Sequence, residues 1–399
     1  MRVAIYIQSK KLGGTNTVVK NLINNWPNKD DDFFLLIDKS KLNYNYYKKN
    51  IYFKKFNLTS LNIPTIEAVN YNIKYLDLLI KFIFFIPIFI YQFVFFFRYF
   101  KNKKFDRYLS INGGYPGGES CISSCLAWKI VEGSAPFLNI HNLAIPKRFS
   151  FFELNRMLID LSIKYIQPKI LVVSNAVKKS LQKRLDKIKI KIIYNGLNLN
   201  DAQKTINIKK ILNIRNNNKN IIMIGSFEKR KGHDFLLDAF AKVKEKIKNV
   251  NLIICGGDEN EYSKNLFERI ILNKNLKNSV FFYNKFLGSN VYSFMKFSDI
   301  CAITSQEYES FSLIILEAWS AKIPVVSTKI GGTSEVITNN YDGFLINKKN
   351  YFKFSDVLIE LLKDSKKRKI FGKRGYKSYL NKFSVKKMVK NYHKELIKK

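Results

Sequence analysis

Acidic residues are few in this sequence. Against 69 lysines and arginines it carries 31 aspartates and glutamates, a formal net charge of +38 over 399 residues. A positive surface of that size favours anionic partners: phosphorylated substrates, an acidic membrane leaflet or nucleic acid. Nucleic acid is disfavoured, because no RNA- or DNA-binding motif is present and lysine is scattered over the whole chain. Histidine is scarcer still, at positions 141, 233 and 393 only, and no metal-binding spacing occurs, so no metal and no other cofactor is expected. The four cysteines (Cys121, Cys125, Cys255, Cys301) form no CxxC pair and lie mostly in apolar runs. They read as reduced core residues of a cytoplasmic protein. The N-terminal MRVAIYIQSKK lacks the long apolar region of a signal peptide.

What is present is ample hydrophobic residue for two cores, and a length that suggests two domains. The organising stretch runs from Ser298 to Phe344. ICAIT has the length of a buried strand, SQEYES is turn-like, LIILEAWSA reads as a helix, and PVVST is a second strand. Gly331-Gly332 then opens a turn, with Thr333 or Ser334 as the cap of the next helix. Glu309 falls in the loop at the first strand's carboxyl end. Ser310 or Ser312 caps the helix, and Glu317 lies about a turn and a half inside it. The backbone N–H groups at Ser312 and Leu313 would point out at that helix start, where a phosphate binds. Open α/β sheets place ligands at such a crevice.

The rest of the chain repeats this logic. RVAIYI is a strand, followed by Lys10, Lys11, Leu12, Gly13, Gly14 and a helix: a turn that lets a phosphate approach, or a plain tight turn. Residues 41 to 70 look irregular. Leu78 to Phe100 is the oddest segment. Its uninterrupted apolar core, Phe82–Phe97, is about 16 residues long, below the ~20 a spanning helix needs. Three readings stand: a buried helix, a helix dipping into a membrane interface beside basic residues, and a true span. Two glycine pairs, Gly113-Gly114 and Gly117-Gly118, suggest a flexible loop. His141 ends a strand, placed to face a cleft. Residues 201 to 219 read as a linker. NIIMIG then restarts a strand, and Lys229, Arg230 and Lys231 cluster between it and the next helix, where a diphosphate would neutralise them.

The run E-x7-E, a Pro-Val-Val strand and GGxxEVI together resemble the retaining glycosyltransferases of family 4. That resemblance implies the α/β GT-B fold, two Rossmann-like α/β/α domains facing a central cleft. It implies an N-terminal acceptor-side domain over 1–200, a nucleotide-sugar domain over 201–380, and a last helix over 381–399 that crosses back. It implies Glu309 beside the donor sugar, Glu317 on the ribose, His141 on the sugar, and Gly14 in the N-terminal glycine loop facing the donor phosphates. Family members carry Arg after the glycine and Lys five residues on. Lys231 matches the Lys; Ser226 stands at the Arg position, with Lys229 or Arg230 supplying the charge. The family loop E-G-F-G is here Glu309-Ser310-Phe311-Ser312. The expected function is transfer of a sugar from a nucleotide-diphosphate sugar to a saccharide or lipid-linked acceptor with retention. The expected setting is cell-surface polysaccharide or glycolipid synthesis, in the cytoplasm or peripheral at an anionic membrane surface. A non-hydrolysing sugar-nucleotide epimerase of the same architecture is the alternative; the E-x7-E unit argues against it.

Overall fold

The computed structural model describes residues 1–9, 12–66, 74–148, 150–186, 188–198, 206–257, 260–272, 276–285 and 287–398. Lys10 and Lys11 of the first glycine turn, and residues 201–205 of the expected linker, lie outside them. The chain divides into two compact units: Met1–Asn195 with Val385–Lys399, and Gly196–Ser384.

The first unit is a seven-stranded parallel sheet. Its strands are β1 (Arg2–Ile7), β2 (Asp32–Asp38), β3 (Phe56–Leu61), β4 (Arg107–Asn112), β5 (Phe137–Ile140), β6 (Lys169–Val172) and β7 (Ile190–Ile192), in the spatial order 3-2-1-4-5-6-7. The helices between them are α1 (Gly14–Asn24), α2 (Lys41–Asn50), α3 (Lys74–Asn102), α4 (Glu119–Glu132), α5 (Glu153–Ile166) and α6 (Asn175–Gln182). β1 is apolar at every position from Val3 to Ile7 because a central parallel strand is covered on both faces. Residues 41 to 66 are therefore not irregular. Ser40 caps α2 by accepting from the Asn43 amide at 3.3 Å, and β3 pairs in register with β2 from Phe33–Phe56 to Asp38–Leu61.

α3 bears on each of the three readings of the apolar segment. It is long and apolar enough to cross a membrane. Yet it joins β3 to β4 within one sheet. One face packs on α4, with Phe96 and Phe100 buried. On that face Gln92 is buried, donates to Pro64 O at 2.8 Å and to Glu119 at 3.3 Å, and accepts from Ser123 at 3.2 Å. A helix anchored to a sheet domain through a satisfied buried amide is not a span. Nor is it a core helix, since 6% of its most apolar stretch is buried.

The second unit is a six-stranded parallel sheet in the order 10-9-8-11-12-13. Its strands are β8 (Lys219–Ile224), β9 (Val250–Cys255), β10 (Val280–Tyr283), β11 (Ile300–Ile303), β12 (Val325–Thr328) and β13 (Phe344–Ile346). Its helices are α7 (Ile208–Leu212), α8 (His233–Lys246), α9 (Glu261–Leu272), α10 (Val291–Lys296), α11 (Leu313–Ser320), α12 (Thr333–Val336), α13 (Tyr351–Lys363) and α14 (Ser365–Lys382). The expected linker is thus corrected over 206–219. It holds α7, whose Ile208 is buried, and the first residue of β8. Gly332, not Thr333 or Ser334, stands at the cap of α12; Thr333 Oγ1 instead bonds Thr328 O at 2.9 Å and Ile330 O at 2.8 Å.

The last helix, α15 (Val385–Leu396), belongs to the first unit. Its His393 ring lies 5.0 Å from Trp26, and Leu396 O accepts from Arg107 at 2.6 Å.

Candidate functional site

Both sheets reverse winding direction at one place, between β1 and β4 in the first unit and between β8 and β11 in the second. That reversal opens a crevice at the strands' carboxyl ends. The candidate residues gather at these two places.

In the second unit, the loop after β8 and the loop after β11 are laced together. Gln306 N donates to Arg230 O at 2.8 Å and Thr304 Oγ1 donates to Lys231 O at 2.9 Å. The backbones approach closely at two glycines. Gly232 (φ +72°) would set a side-chain carbon 2.1 Å from Thr304 O, and Gly331 (φ +49°) would set one 2.1 Å from Glu309 O. Only glycine fits either position. The lacing brings Lys231 onto Glu309. Its Nζ donates to Glu309 Oε2 at 2.7 Å, and Ser305 Oγ donates to the same oxygen at 2.9 Å. Glu309 is buried; Lys231 is partly exposed. Among the described residues nothing bonds Glu309 Oε1. Ser305 is itself fixed by Thr328 Oγ1, which donates to Ser305 O at 2.6 Å.

The neighbouring cations are also engaged. Ser226 and Arg230 both bond the Glu228 carboxylate, and the Arg230 guanidinium lies 4.9 Å from the Tyr308 ring centre. Lys229 is exposed. Ser312 occupies the N-cap of α11 without a side-chain cap bond, and Leu313 is the first helical residue. The first amides of a helix have no acceptor within it, so this end offers donors to an anion. Glu317 is half-buried on α11. Its charge, after burial, helps hold the Cys301 thiol above its usual range, which places it beside β11 rather than on Lys231.

In the first unit the candidate groups described at the reversal, Gly13, Gly14 and His141, are uncharged, while the carboxylates Asp38 and Glu119 are buried at the end of β2 and the start of α4. Gly13, extended at φ −169°, caps α1, with Gly14 its first residue. A side chain at Gly13 would meet nothing within 4 Å among the described residues, so they do not demand glycine at that position. The glycine pairs after β4 are pinned rather than loose. Asn112 Oδ1 accepts from Gly114 N at 2.8 Å, and its Nδ2 donates to Gly117 O at 2.9 Å. His141 follows β5 and is buried; its amide donates to Asn112 O at 3.0 Å. Burial pushes its pKa down to about 4, so the ring is neutral near pH 7.

The tautomer follows from the neighbours. Asn139 Nδ2 donates to Leu171 O at 3.1 Å, so its Oδ1 is the atom facing Tyr392 OH at 2.9 Å and His141 Nε2 at 2.6 Å. An amide oxygen needs a donor, so Nε2 carries the hydrogen and Nδ1 carries the lone pair. Among the described residues nothing bonds Nδ1. Sequence reasoning missed Asn139 and Tyr392. The one available signal was a polar residue inside the apolar strand FLNI. Among the described residues no three His, Cys, Asp or Glu side chains come together as a metal site.

Comparison with known proteins gives a partial family match and a fold. Residues 204–378 match the family described as glycosyl transferases group 1. N-acetyl-alpha-D-glucosaminyl L-malate synthase of Bacillus anthracis is 30% identical over 185 residues, 46% of this chain and 47% of that protein. An uncharacterized glycosyltransferase of Methanocaldococcus jannaschii is 30% identical over 226 residues, 57% of this chain and 58% of that protein. The chain thus spans about half the length of the curated relatives it matches. The solved structure of Anabaena Alr3699/HepE in complex with UDP-glucose superposes with a TM-score of 0.76 at 19% identity, covering 99% of each chain. At that identity the likeness speaks for the fold. The chain has the GT-B fold, and its residues 204–378, from just before α7 into α14, match the family of glycosyl transferases group 1.

Proposed function

We propose that the protein is a retaining glycosyltransferase that takes a sugar from a nucleotide-diphosphate sugar and gives it to a saccharide or lipid-linked acceptor. The single observation that carries this is the Lys231–Glu309 pair at the β8/β11 reversal, beside the start of α11. A cation and a buried carboxylate at a phosphate-accepting helix end suit a donor whose diphosphate leaves as the sugar is transferred. The relatives' names and the UDP-glucose bound to HepE support a nucleotide sugar, with uridine the first base to try.

In this reading the bond from the sugar's anomeric carbon to the diphosphate oxygen breaks. The bond to the acceptor oxygen forms on the same face, and the acceptor's proton goes to the departing diphosphate. Lys231, Arg230 and the first amides of α11, at Ser312 and Leu313, take up the developing charge, so no metal is required. Ser226 leaves Glu228 to meet phosphate, Gly14 lets the phosphates approach backbone, and Glu317 holds the ribose. Glu309 accepts from a sugar hydroxyl through Oε1 once Lys231 turns to the diphosphate. His141 accepts from another through Nδ1. Four buried free cysteines support a cytoplasmic setting. Polysaccharide or glycolipid synthesis is the fitting role.

The test is a thermal-shift screen of UDP-, GDP- and ADP-sugars, followed by assay of nucleotide diphosphate release with and without acceptor. One donor should raise Tm in the wild type and much less in Lys231→Ala, and release should need acceptor. Nuclear magnetic resonance of the product should show the donor's anomeric configuration, and chelator should leave the rate unchanged. Release without acceptor, or an inverted product, would count against the reading.

A further inference from the structure

The apolar surface of the first unit is not confined to α3. Along α3 the exposed positions follow a helical stripe: Leu79, Ile83, Phe84, Ile86, Ile90, Tyr91 and Val94. α5 carries a second stripe, Leu154, Met157, Leu158, Leu161 and Tyr165. The two helices meet: the Phe82 and Phe151 rings are 3.9 Å apart at their centres, and Asn155 Nδ2 donates to Phe82 O at 3.2 Å. Both helices also pack on α4. The stripes therefore adjoin as one face rimmed by cations. A soluble monomer rarely leaves so much contiguous apolar surface in water.

The exposed charge on the two helices has one sign. The only carboxylates on the two helices are Asp77, Glu153 and Asp160. Asp77 is buried, and Glu153 and Asp160 are both bonded to the buried Arg184. Exposed cations remain: Arg98, Lys101, Lys103 and Lys104 around the end of α3, Lys147 and Arg148 before α5, and Lys164 on it. Between the end of α3 and the turn after it lies a groove of about 370 Å³, lined by Tyr91, Val94, Phe95 and Tyr99 together with Arg98 and Lys103. An apolar trough with one guanidinium and one ammonium group matches an acyl chain ending in a phosphate.

We propose that the α3–α5 face docks the protein on a bilayer of anionic phospholipid, the stripes entering the interface and Arg98 and Lys103 meeting lipid phosphate. The charge complementarity selects this occupant over a second copy, because two such faces would oppose cation to cation. The surface is independent of the enzymatic reading above, and its test reads binding rather than turnover.

The experiment is co-sedimentation of the whole chain with vesicles of phosphatidylcholine, with and without added phosphatidylglycerol. The wild type should pellet only with phosphatidylglycerol and come off in high salt. Ile83, Phe84, Ile90 and Leu161 are each at least half exposed (55%, 50%, 55% and 56%), so their combined replacement by serine leaves no buried hydroxyl. That variant should lose at least about tenfold in vesicle affinity with an unchanged Tm. If it instead fails to fold, Arg98→Glu with Lys103→Glu, both exposed positions, should produce a similar loss. A wild type that treats both vesicles alike would overturn the proposal. So would a concentration-dependent dimer that the serine variant dissolves, which would make the face a contact between copies.

Discussion

The two units share a strand order and use it oppositely. Each winds out from a central strand and reverses at one point, 3-2-1-4 in the first and 10-9-8-11 in the second. The second unit fills its reversal with charge and close backbone: Lys231 on Glu309, Arg230 on Glu228, and Gly232 and Gly331 against carbonyls. Among its described residues the first sets Asn112, Asn139 and a His141 kept uncharged by burial around the ends of β4 and β5, and carries its unusual chemistry on the outer helices. Topology decides where a ligand can sit; the side chains placed there decide what each reversal can bind.

The sharpest way to break this contrast is at the charged reversal. Glu309→Gln removes the anion that holds Lys231 and should lower kcat by roughly a hundredfold. Lys231→Ala should weaken nucleotide-diphosphate binding by about 1.5–3 kcal/mol, the range of a charge-assisted hydrogen bond. The two share one bond, so the double variant should fall short of the summed losses. Additive losses, read by kcat and by calorimetric titration, would mean that Lys231 and Glu309 act on separate groups. Glu317→Gln, beside β11 and off this pair, should raise the donor KM and leave kcat nearly intact.

Next in size is the glycine contrast. Gly232→Ala and Gly331→Ala each combine a positive φ with a 2.1 Å approach to a carbonyl oxygen, and should cost about 2 kcal/mol or more. Gly13→Ala meets no described atom within 4 Å at an extended backbone and should change stability by no more than about 0.5 kcal/mol. Urea unfolding compares them. If Gly13→Ala keeps its stability but raises the donor KM, the first turn is a phosphate approach; with KM unchanged it is a plain turn.

Much of this contrast is readable in the sequence alone, and the unread part has a physical pattern. Buried parallel strands announce themselves as unbroken apolar runs, so β8, β9, β11 and β12 were legible from IIMI, LIIC, ICAI and VV. α2 was not, because LNYNYYKK buries only Asn43 and Tyr47 and shows no apolar stripe. α5 hides for the opposite reason: ELNRMLIDLSIKYI is apolar on its exposed face as well as its buried one, which erases the periodicity. In the site, Glu309 and Lys231 were legible separately, yet their bond joins residues 78 apart and depends on Gly232 and Gly331 closing the loops. Asn139 and Tyr392 are 253 apart and belong to no local motif.

That long-range pair gives a smaller prediction, in the first unit. Tyr392→Phe keeps the ring and removes the hydroxyl that bonds Asn139 Oδ1. Stability should fall by about 1 kcal/mol. If Asn139 holds the His141 tautomer, kcat should drop several-fold with donor KM unchanged, and the pH–rate profile should shift as His141 samples its other tautomer. Asn139→Asp, which keeps an acceptor oxygen toward both partners, should preserve more activity than Asn139→Ala. Equal rates in the two Asn139 variants would reduce the Tyr392–Asn139–His141 chain to packing.

The smallest expected effect tests what the units have in common. Each buries one histidine, His141 in the first and His233 in the second, and burial pushes both from 6.5 down to about 4. The sign follows from proton counting. Above about pH 6.5 neither the folded nor the unfolded ring is protonated, and the shift contributes nothing to the pH slope. Between about 6.5 and about 4 the unfolded ring takes a proton that the folded ring refuses, so stability falls as pH falls. His233 lies 5.3 Å from the Phe227 ring and 5.8 Å from the Tyr262 ring, so the charged form would need water that this aromatic cage excludes. Unfolding free energies measured across that window should show a slope reduced by up to one proton in His233→Gln, and by a similar amount in His141→Gln. Carboxylates add to the slope in every variant and cancel in the difference. A slope that stays the same in His233→Gln would show that this ring already reaches solvent when folded. If the slope drops for His141 alone, only the first unit keeps its histidine uncharged by burial.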